Sequence, residues 1–336
     1  VRFTFFYFRR LVLSVFGILF VLLFGCEQAT TNKTAFKHNL DSENLPWNAE
    51  NFEPDASEFT FGIISDLNGG ERPGIFSRAV AQLNQLDPDF VLSVGDLIDG
   101  GTEDTLVLKA QWDSFDSRAR KLNMPFFYAG GNHDLSNMKM RKFWENRIGA
   151  RYYHFLYKDV LFMVLDSEDY TEARFQEMFI ARDSALKILN GSIPGKYENS
   201  TYYNMPERTH GAMSKIQFEY FSKVLQDHPN VRWTFVLMHK PLWLRDDTQG
   251  LGPLEARLNG RNYTVINGHL HRMSYQKRQG MDYLMLGTTG GSQTPGDSAV
   301  FDHVSLVRMK NEPIITHLKL EGILQTDGSL PPAIDP

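Results

Sequence analysis

Asp66-x-Asn68, Gly95-Asp96-x-x-Asp99-Gly100, Gly131-Asn132-His133-Asp134, His239 and Gly268-His269-x-His271 are the residues whose types and spacing could do chemistry together. They offer carboxylate, amide and imidazole donors with no thiolate, a set that suits Mn²⁺, Fe or Zn²⁺ rather than calcium or a cluster. Taken singly, each has an ordinary reading. An aspartate after a strand is usually a turn former or a helix cap, and a lone histidine is more often packed or solvated than metal-bound. The signal is that five such elements fall in order at the ends of strand-like runs.

The elements that must position them can be read from the pattern of apolar residues. Phe59–Ser65 is a compact apolar run that stops at Asp66 and Gly69-Gly70. A helical stretch from Pro73 to Leu86 leads to a second buried strand, Phe90–Val94, closed by Gly95-Asp96. Asp104–Leu122 has helical spacing, and Pro125–Ala129 gives a third strand ending in Gly130-Gly131-Asn132. Strands alternating with helices predict right-handed βαβ units and a mostly parallel sheet. In such sheets ligands bind beyond the carboxyl ends of the strands, where glycine lets the backbone turn sharply and come close. Farther on, Tyr152–Tyr157 and Val160–Asp166 read as a hairpin, Ser214–Leu225 as an amphipathic helix, and Val231–Met238 as a strand ending at His239. Val265–Asn267 leads into Gly268-His269, and Tyr283–Leu286 into Gly287–Gly291. Val304–Met309 and Ile314–Leu320 are expected as closing antiparallel strands.

In this order and context the five motifs resemble those of the calcineurin-like metallophosphoesterases, over roughly residues 58–320. The resemblance implies an α/β fold with two mixed β-sheets packed as a sandwich flanked by helices, and a metal site at the carboxyl ends of the strands. It implies two divalent ions (Mn, Fe or Zn), the first held by Asp66 and His271, the second by Asn132, His239 and His269, with Asp96 bridging them. A centre of that kind activates a water for attack on phosphorus. The family gives the histidine at His133 the role of protonating the leaving group or stabilising its developing charge. Asp99 or Asp134 could orient that histidine, and Asp99 is the favoured candidate.

The chain departs from the family at one position. The first motif is usually Asp-x-His, whereas Asn68 stands here. An amide oxygen is a neutral, weaker donor than imidazole, so Asn68 is either a weak ligand of the first metal or only a turn residue before Gly69-Gly70. The related purple acid phosphatases also lack the histidine but carry a tyrosine ligand where Asp99 stands, so no tyrosinate colour is expected. Asp99 could itself reach the first metal. Trp243 and Arg245, just after His239, are expected as substrate contacts, since an arginine can hold a non-reacting phosphate. Residues 170–211 form an insertion that is either a cap bringing Tyr197, Tyr202, Tyr203, Arg208 and His210 to substrate or an ordinary surface excursion.

Around this domain the composition sets limits. The 336 residues are 42% hydrophobic and 22% charged, as in globular proteins, and the net charge of −5 argues against a nucleic-acid partner. Arg2, Arg9 and Arg10 precede the uncharged apolar run Leu11–Phe24, which is shorter than the roughly 20 residues of a membrane span. It ends in Leu23-Phe24-Gly25-Cys26, which resembles a bacterial lipobox with a lipidated Cys26, although Phe24 is larger than the usual residue. An uncleaved signal anchor is the alternative. Cys26 is the only cysteine, which rules out an intrachain disulfide. The expected organisation is a signal segment (1–26), a flexible tether (27–57), the phosphoesterase domain (58–320) and a frayed tail (321–336). The protein is then exported and membrane-anchored, on the periplasmic or cell-surface face of a bacterial membrane. Its expected action is hydrolysis of a small-molecule or lipid phosphomonoester or phosphodiester. A tethered phosphate-ligand binding protein with a weakened first metal site is the other reading.

Overall fold

A computed structural model describes residues 35–52 and 57–320. The segment carrying Cys26 and the tail from 321 lie outside the described residues, as does the first part of the expected tether. Two sheets face each other. The first has the order β12–β11–β2–β3–β4, formed by Phe59–Ile64 (β2), Phe90–Ser93 (β3), Phe126–Phe127 (β4), His303–Met309 (β11) and Pro313–Lys319 (β12). The second has the order β1–β5–β6–β7–β8–β10–β9. It comprises Phe36–His38 (β1), Tyr153–Tyr157 (β5), Val160–Val164 (β6), Trp233–Met238 (β7), Tyr263–Asn267 (β8), Ser274–Arg278 (β9) and Met281–Met285 (β10). β2, β3 and β4 run parallel, as do β6, β7, β8 and β10, while the outer pairings are antiparallel. This is the α/β sandwich of two mixed sheets expected from the sequence.

The alternation of side chains along a strand builds the layers. In β6, Val160, Phe162 and Val164 enter the core between the sheets, while Leu161 and Met163 face the opposite side. In β7, Phe235 and Leu237 point inward and Val236 and Met238 outward. Because both faces are covered, these strands read as unbroken apolar runs, which is why they are visible in the sequence. Aromatic rings fill the intersheet layer. Phe61 stacks on Phe90 at 5.3 Å and meets Phe162 and Phe235 edge-on at 5.1 and 5.0 Å.

Helices Ile75–Leu86 (α1), Thr105–Ala119 (α2) and Met138–Arg147 (α3) cover the outer face of the five-stranded sheet. The second is capped by Asp104, whose carboxylate accepts from Leu106 and Val107 N–H, and the third by Asn137. Lys215–Asp227 (α5) and Gly252–Leu258 (α6) cover the seven-stranded sheet. Between these halves Glu172–Leu189 (α4) opens the 170–211 insertion, packing Phe175 and Met178 against Tyr170 and Ala212.

One boundary differs from the expectation. Residues 35–52 are not a tether: Phe36–His38 pairs antiparallel with Tyr157–Phe155, and Trp47 is 5% exposed, packed on Phe127 and Tyr153. Three aromatics, Phe36, Trp47 and Phe52, bring this polar stretch into the intersheet core. The domain therefore begins by residue 35.

Candidate metal centre

The carboxyl ends of β2, β3 and β4 from one sheet and of β7 and β8 from the other converge at one edge of the sandwich. The turns after them are hydrogen-bonded to one another. Asp66 N–H donates to Gly95 O (3.2 Å), Asn68 N–H to Asp96 O (3.1 Å) and Gly268 N–H to His239 O (3.1 Å). Asp66, Asp96, His269 and His271 all have φ between 49° and 77°, a left-handed conformation that non-glycine residues rarely adopt. Four such residues at one place mark a backbone held in a costly geometry for its side chains. Glycine makes the crowding possible. A Cβ on Gly131 would overlap Asp96, and one on Gly268 would overlap the Asp66 carboxylate.

The side chains form two overlapping donor groups. Ligand atoms of Asp66, Asp96 and His271 lie within 4.8 Å of one another, and so do those of Asp96, His239 and His269. Asp96 belongs to both groups. His239 Nε2 lies 3.1 Å from Asp96 Oδ2 and 3.1 Å from Asn132 Oδ1, and His271 Nε2 lies 3.3 Å from Asp66 Oδ1.

Each histidine is oriented from behind. His239 Nδ1 donates to Val94 O (2.9 Å), His271 Nδ1 to Ser292 O (2.6 Å) and His269 Nε2 to Arg208 O (2.8 Å). A ring nitrogen fixed on a carbonyl leaves the other nitrogen of a neutral imidazole bare, which is how metal-binding histidines are commonly held. The bare nitrogens face the carboxylates and the Asn132 oxygen, all acceptors, so something positive must lie among them. Burial alone would lower the His239 pKa, but Asp96 beside it outweighs this and holds it up to about 9. His271 is likewise held up to about 9 by Asp66, against its burial. His269 is pushed well down by burial and by His239. Asp96 is held far below the usual carboxylate range by His239 and His133 despite complete burial. Without metal the positive charge is a proton, and a divalent cation can take its place. The donor set fits the group that the resemblance implies.

Asn68 sits inside this frame, 2% exposed. Its Nδ2 donates to Leu97 O at 2.7 Å, whereas its Oδ1 is buried with no hydrogen-bond partner among the described residues. A buried acceptor without a donor, two residues after Asp66, differs from a turn residue, whose oxygen would meet an amide.

His133 stands at the rim, half-buried, its amide donating to Asp96 Oδ1 at 2.8 Å. Its ring nitrogen Nδ1 donates to the main-chain carbonyl of Asp99 (2.7 Å). Nε2 lies over Gly69, on the side where His271 also approaches. Asp99 thus meets His133 through its backbone carbonyl and not through the carboxylate that the sequence reading offered. Its carboxylate is exposed. Asp134 instead ties two motif loops together. Its carboxylate accepts from the amides of Gly131 (2.8 Å), Asp96 (2.8 Å), Leu97 (2.9 Å) and Ile98 (3.1 Å).

The expected substrate contacts do not hold. The donors of Arg245 are engaged by Asp247, Gly211 O and Gln249, and its side chain is 9% exposed. Trp243 is buried, donating to Asn267 Oδ1 at 3.1 Å and packed edge-on to Tyr283. Both serve the wall of the domain. In the insertion, Arg208 stacks on Tyr203 at 4.5 Å and donates to its carbonyl, so its guanidinium is engaged within the insertion. Tyr202 and Arg182 instead line a cavity of about 20 Å³ together with Asn132, Glu168 and Lys240. Lys240, directly after His239 in the chain, forms a buried pair with Glu168 (2.9 Å) that had no signature in the sequence. Nor had the carbonyls of Val94, Ser292 and Arg208, since a backbone acceptor leaves no trace in residue type.

Residues 59–273 match the family model described as calcineurin-like phosphoesterase. Among solved structures, a dimetal phosphatase from Danio rerio aligns with a TM-score of 0.52 at 16% identity, covering 78% of this chain and 99% of that one. GAP50, the anchor in the inner membrane complex of Plasmodium, aligns with a TM-score of 0.51 at 14% identity, over 79% of this chain and 85% of the other. A structure of PhoD gives 0.51 at 11% identity, over 78% and 69%. At such identities these likenesses concern the fold alone. No curated protein sequence matches the chain. The match over 59–273, extending across every motif from Asp66 to His271, places this chain in the calcineurin-like phosphoesterase family.

Proposed function

We propose that the protein is a metal-dependent phosphoesterase that hydrolyses a phosphomonoester or phosphodiester at a two-metal centre. The observation that carries this reading is the sharing of Asp96 between two donor groups, with each histidine's outer nitrogen anchored on a carbonyl. In this reading Asp66, Asn68, Asp96 and His271 hold the first ion, and Asp96, Asn132, His239 and His269 the second. Divalent ions held there would supply Lewis acidity and an activated water. The chain's own contribution is positional. His133, with Nδ1 committed to the Asp99 carbonyl, keeps Nε2 at the mouth of the site. There it can give a proton to the departing alkoxide or stabilise its charge.

One observation favours a second reading, a tethered protein that binds a phosphate ligand with little turnover: Asn68 replaces the usual histidine. Metal content separates the two, because this reading needs one tightly held ion and the first needs two.

The acidic net charge still argues against nucleic acid, and the Leu23–Cys26 segment supports export with a lipid anchor, which would place the site near a membrane surface. Small-molecule or lipid phosphoesters are then the substrate class. The deciding assay supplies Mn²⁺, Fe²⁺ or Zn²⁺ to folded protein with p-nitrophenyl phosphate and bis(p-nitrophenyl) phosphate. Metal-dependent nitrophenol release, abolished by chelator, is expected. No release from protein shown to carry two ions overturns the proposal.

A further inference from the structure

We propose that Glu207 is a positioning residue for the second metal, holding the Arg208 carbonyl over His269 so that this histidine presents Nδ1 to the ion. The inference rests on the metal-centre reading above and assigns part of that centre to the 170–211 insertion. His269 Nε2 donates to Arg208 O at 2.8 Å, and no other hydrogen bond to that ring is found among the described residues. The carbonyl belongs to the short turn Pro206–Arg208. What fixes this turn therefore fixes the tautomer and the angle of His269.

The apolar cluster inside the insertion, Tyr170, Phe175, Met178 and Ala212, reaches the turn through Met205, which precedes Pro206. Ionic links then hold the turn itself. The Glu207 carboxylate, 5% exposed as a side chain, receives Arg174 of α4 in a bidentate pair, Nε at 3.1 Å and Nη2 at 2.8 Å. Bidentate arginine pairs fix direction as well as distance. Arg245 Nη1 stands 3.7 Å from the same carboxylate and donates to Gly211 O. From below, Lys240 Nζ donates to the Glu207 carbonyl at 2.8 Å. Since Lys240 directly follows His239, the turn is tied to one histidine ligand through the chain and to the other through Arg208. The first donor group, Asp66, Asp96 and His271, has no contact with the turn among these links.

The test is a calorimetric Mn²⁺ titration of the full chain, wild type against Glu207→Gln and Arg174→Ala, with thermal unfolding followed in parallel. Outer-sphere partners of metal-binding histidines typically contribute 10–100-fold in affinity. The weaker affinity expected in both variants is a loss of about 10–100-fold at one site with the other unchanged. Arg174 is partly exposed and tests the same link should Glu207→Gln fail to fold. Two sites of wild-type affinity in the folded variants, or equal weakening of both sites, overturns the inference while leaving the metal centre standing. A wild type that takes up no Mn²⁺ overturns the metal-centre reading itself, and needs no variant to show it.

Discussion

At the scale of the residue, the backbone rather than the neighbouring carboxylate controls His133. Because Nδ1 donates to Asp99 O, Asp99→Asn keeps the hydrogen bond and should change turnover by no more than about twofold, as for an exposed substitution. His133→Ala removes the group and should lower kcat by about 10²–10⁴-fold with metal content unchanged. Steady-state kinetics paired with metal analysis of both variants checks this. A large loss in Asp99→Asn would mean that its carboxylate, not its carbonyl, does the work. The ligand side chains were legible because carboxylates and imidazoles after apolar runs stand out by type. The fate of Arg245 and Trp243 was not legible. Sequence proximity to His239 says nothing about the carboxylates and carbonyls that engage a guanidinium in three dimensions.

At the scale of the element, the strand ends owe their proximity to glycine. Gly131→Ala would drive a methyl group into Asp96 and His239 without altering any ligand type. A misplacement of about 1 Å at a reacting centre is worth on the order of 10²-fold in rate. The variant should fold, bind metal weakly and lose at least that factor of activity. Wild-type activity would show that the two loops can part freely. The central strands were readable because they are apolar on both faces, whereas Ser274–Arg278 was not. It is an exposed edge strand of polar residues, paired to Met281–Met285 through backbone hydrogen bonds that no residue type announces. The stretch 35–52 misled for a related reason: its three aromatics are isolated among polar residues, and only tertiary packing gives them a common face. Trp47→Ala should therefore destabilise the domain by about 3–5 kcal/mol, the range for a buried tryptophan. Chemical denaturation measures it, and an unchanged midpoint would restore the tether.

At the scale of the whole molecule, two buried histidines outside the two donor groups set an acid limit. His154 is pushed down to about 4 by burial and by His228, and His303 to about 4 by burial and by His317. Both lie below the ordinary value near 6.5, so the unfolded chain binds more protons than the folded one between these values. Their contribution is complete above pH about 6.5 and is lost as pH falls towards 4. The unfolding midpoint should drop across that window, and less steeply in His303→Gln. Equal slopes in the two proteins would assign the loss to other groups. Export to a compartment of variable acidity would make this limit matter.

The shared Asp96 is what makes one site out of two sheets, and anomalous X-ray scattering from crystals grown with Mn²⁺ tests it most directly. Two peaks are predicted, one among Asp66, Asn68, Asp96 and His271, the other among Asp96, Asn132, His239 and His269, with the Asp96 carboxylate between them. A single peak, or a second one that Asp96 does not touch, would contradict the account.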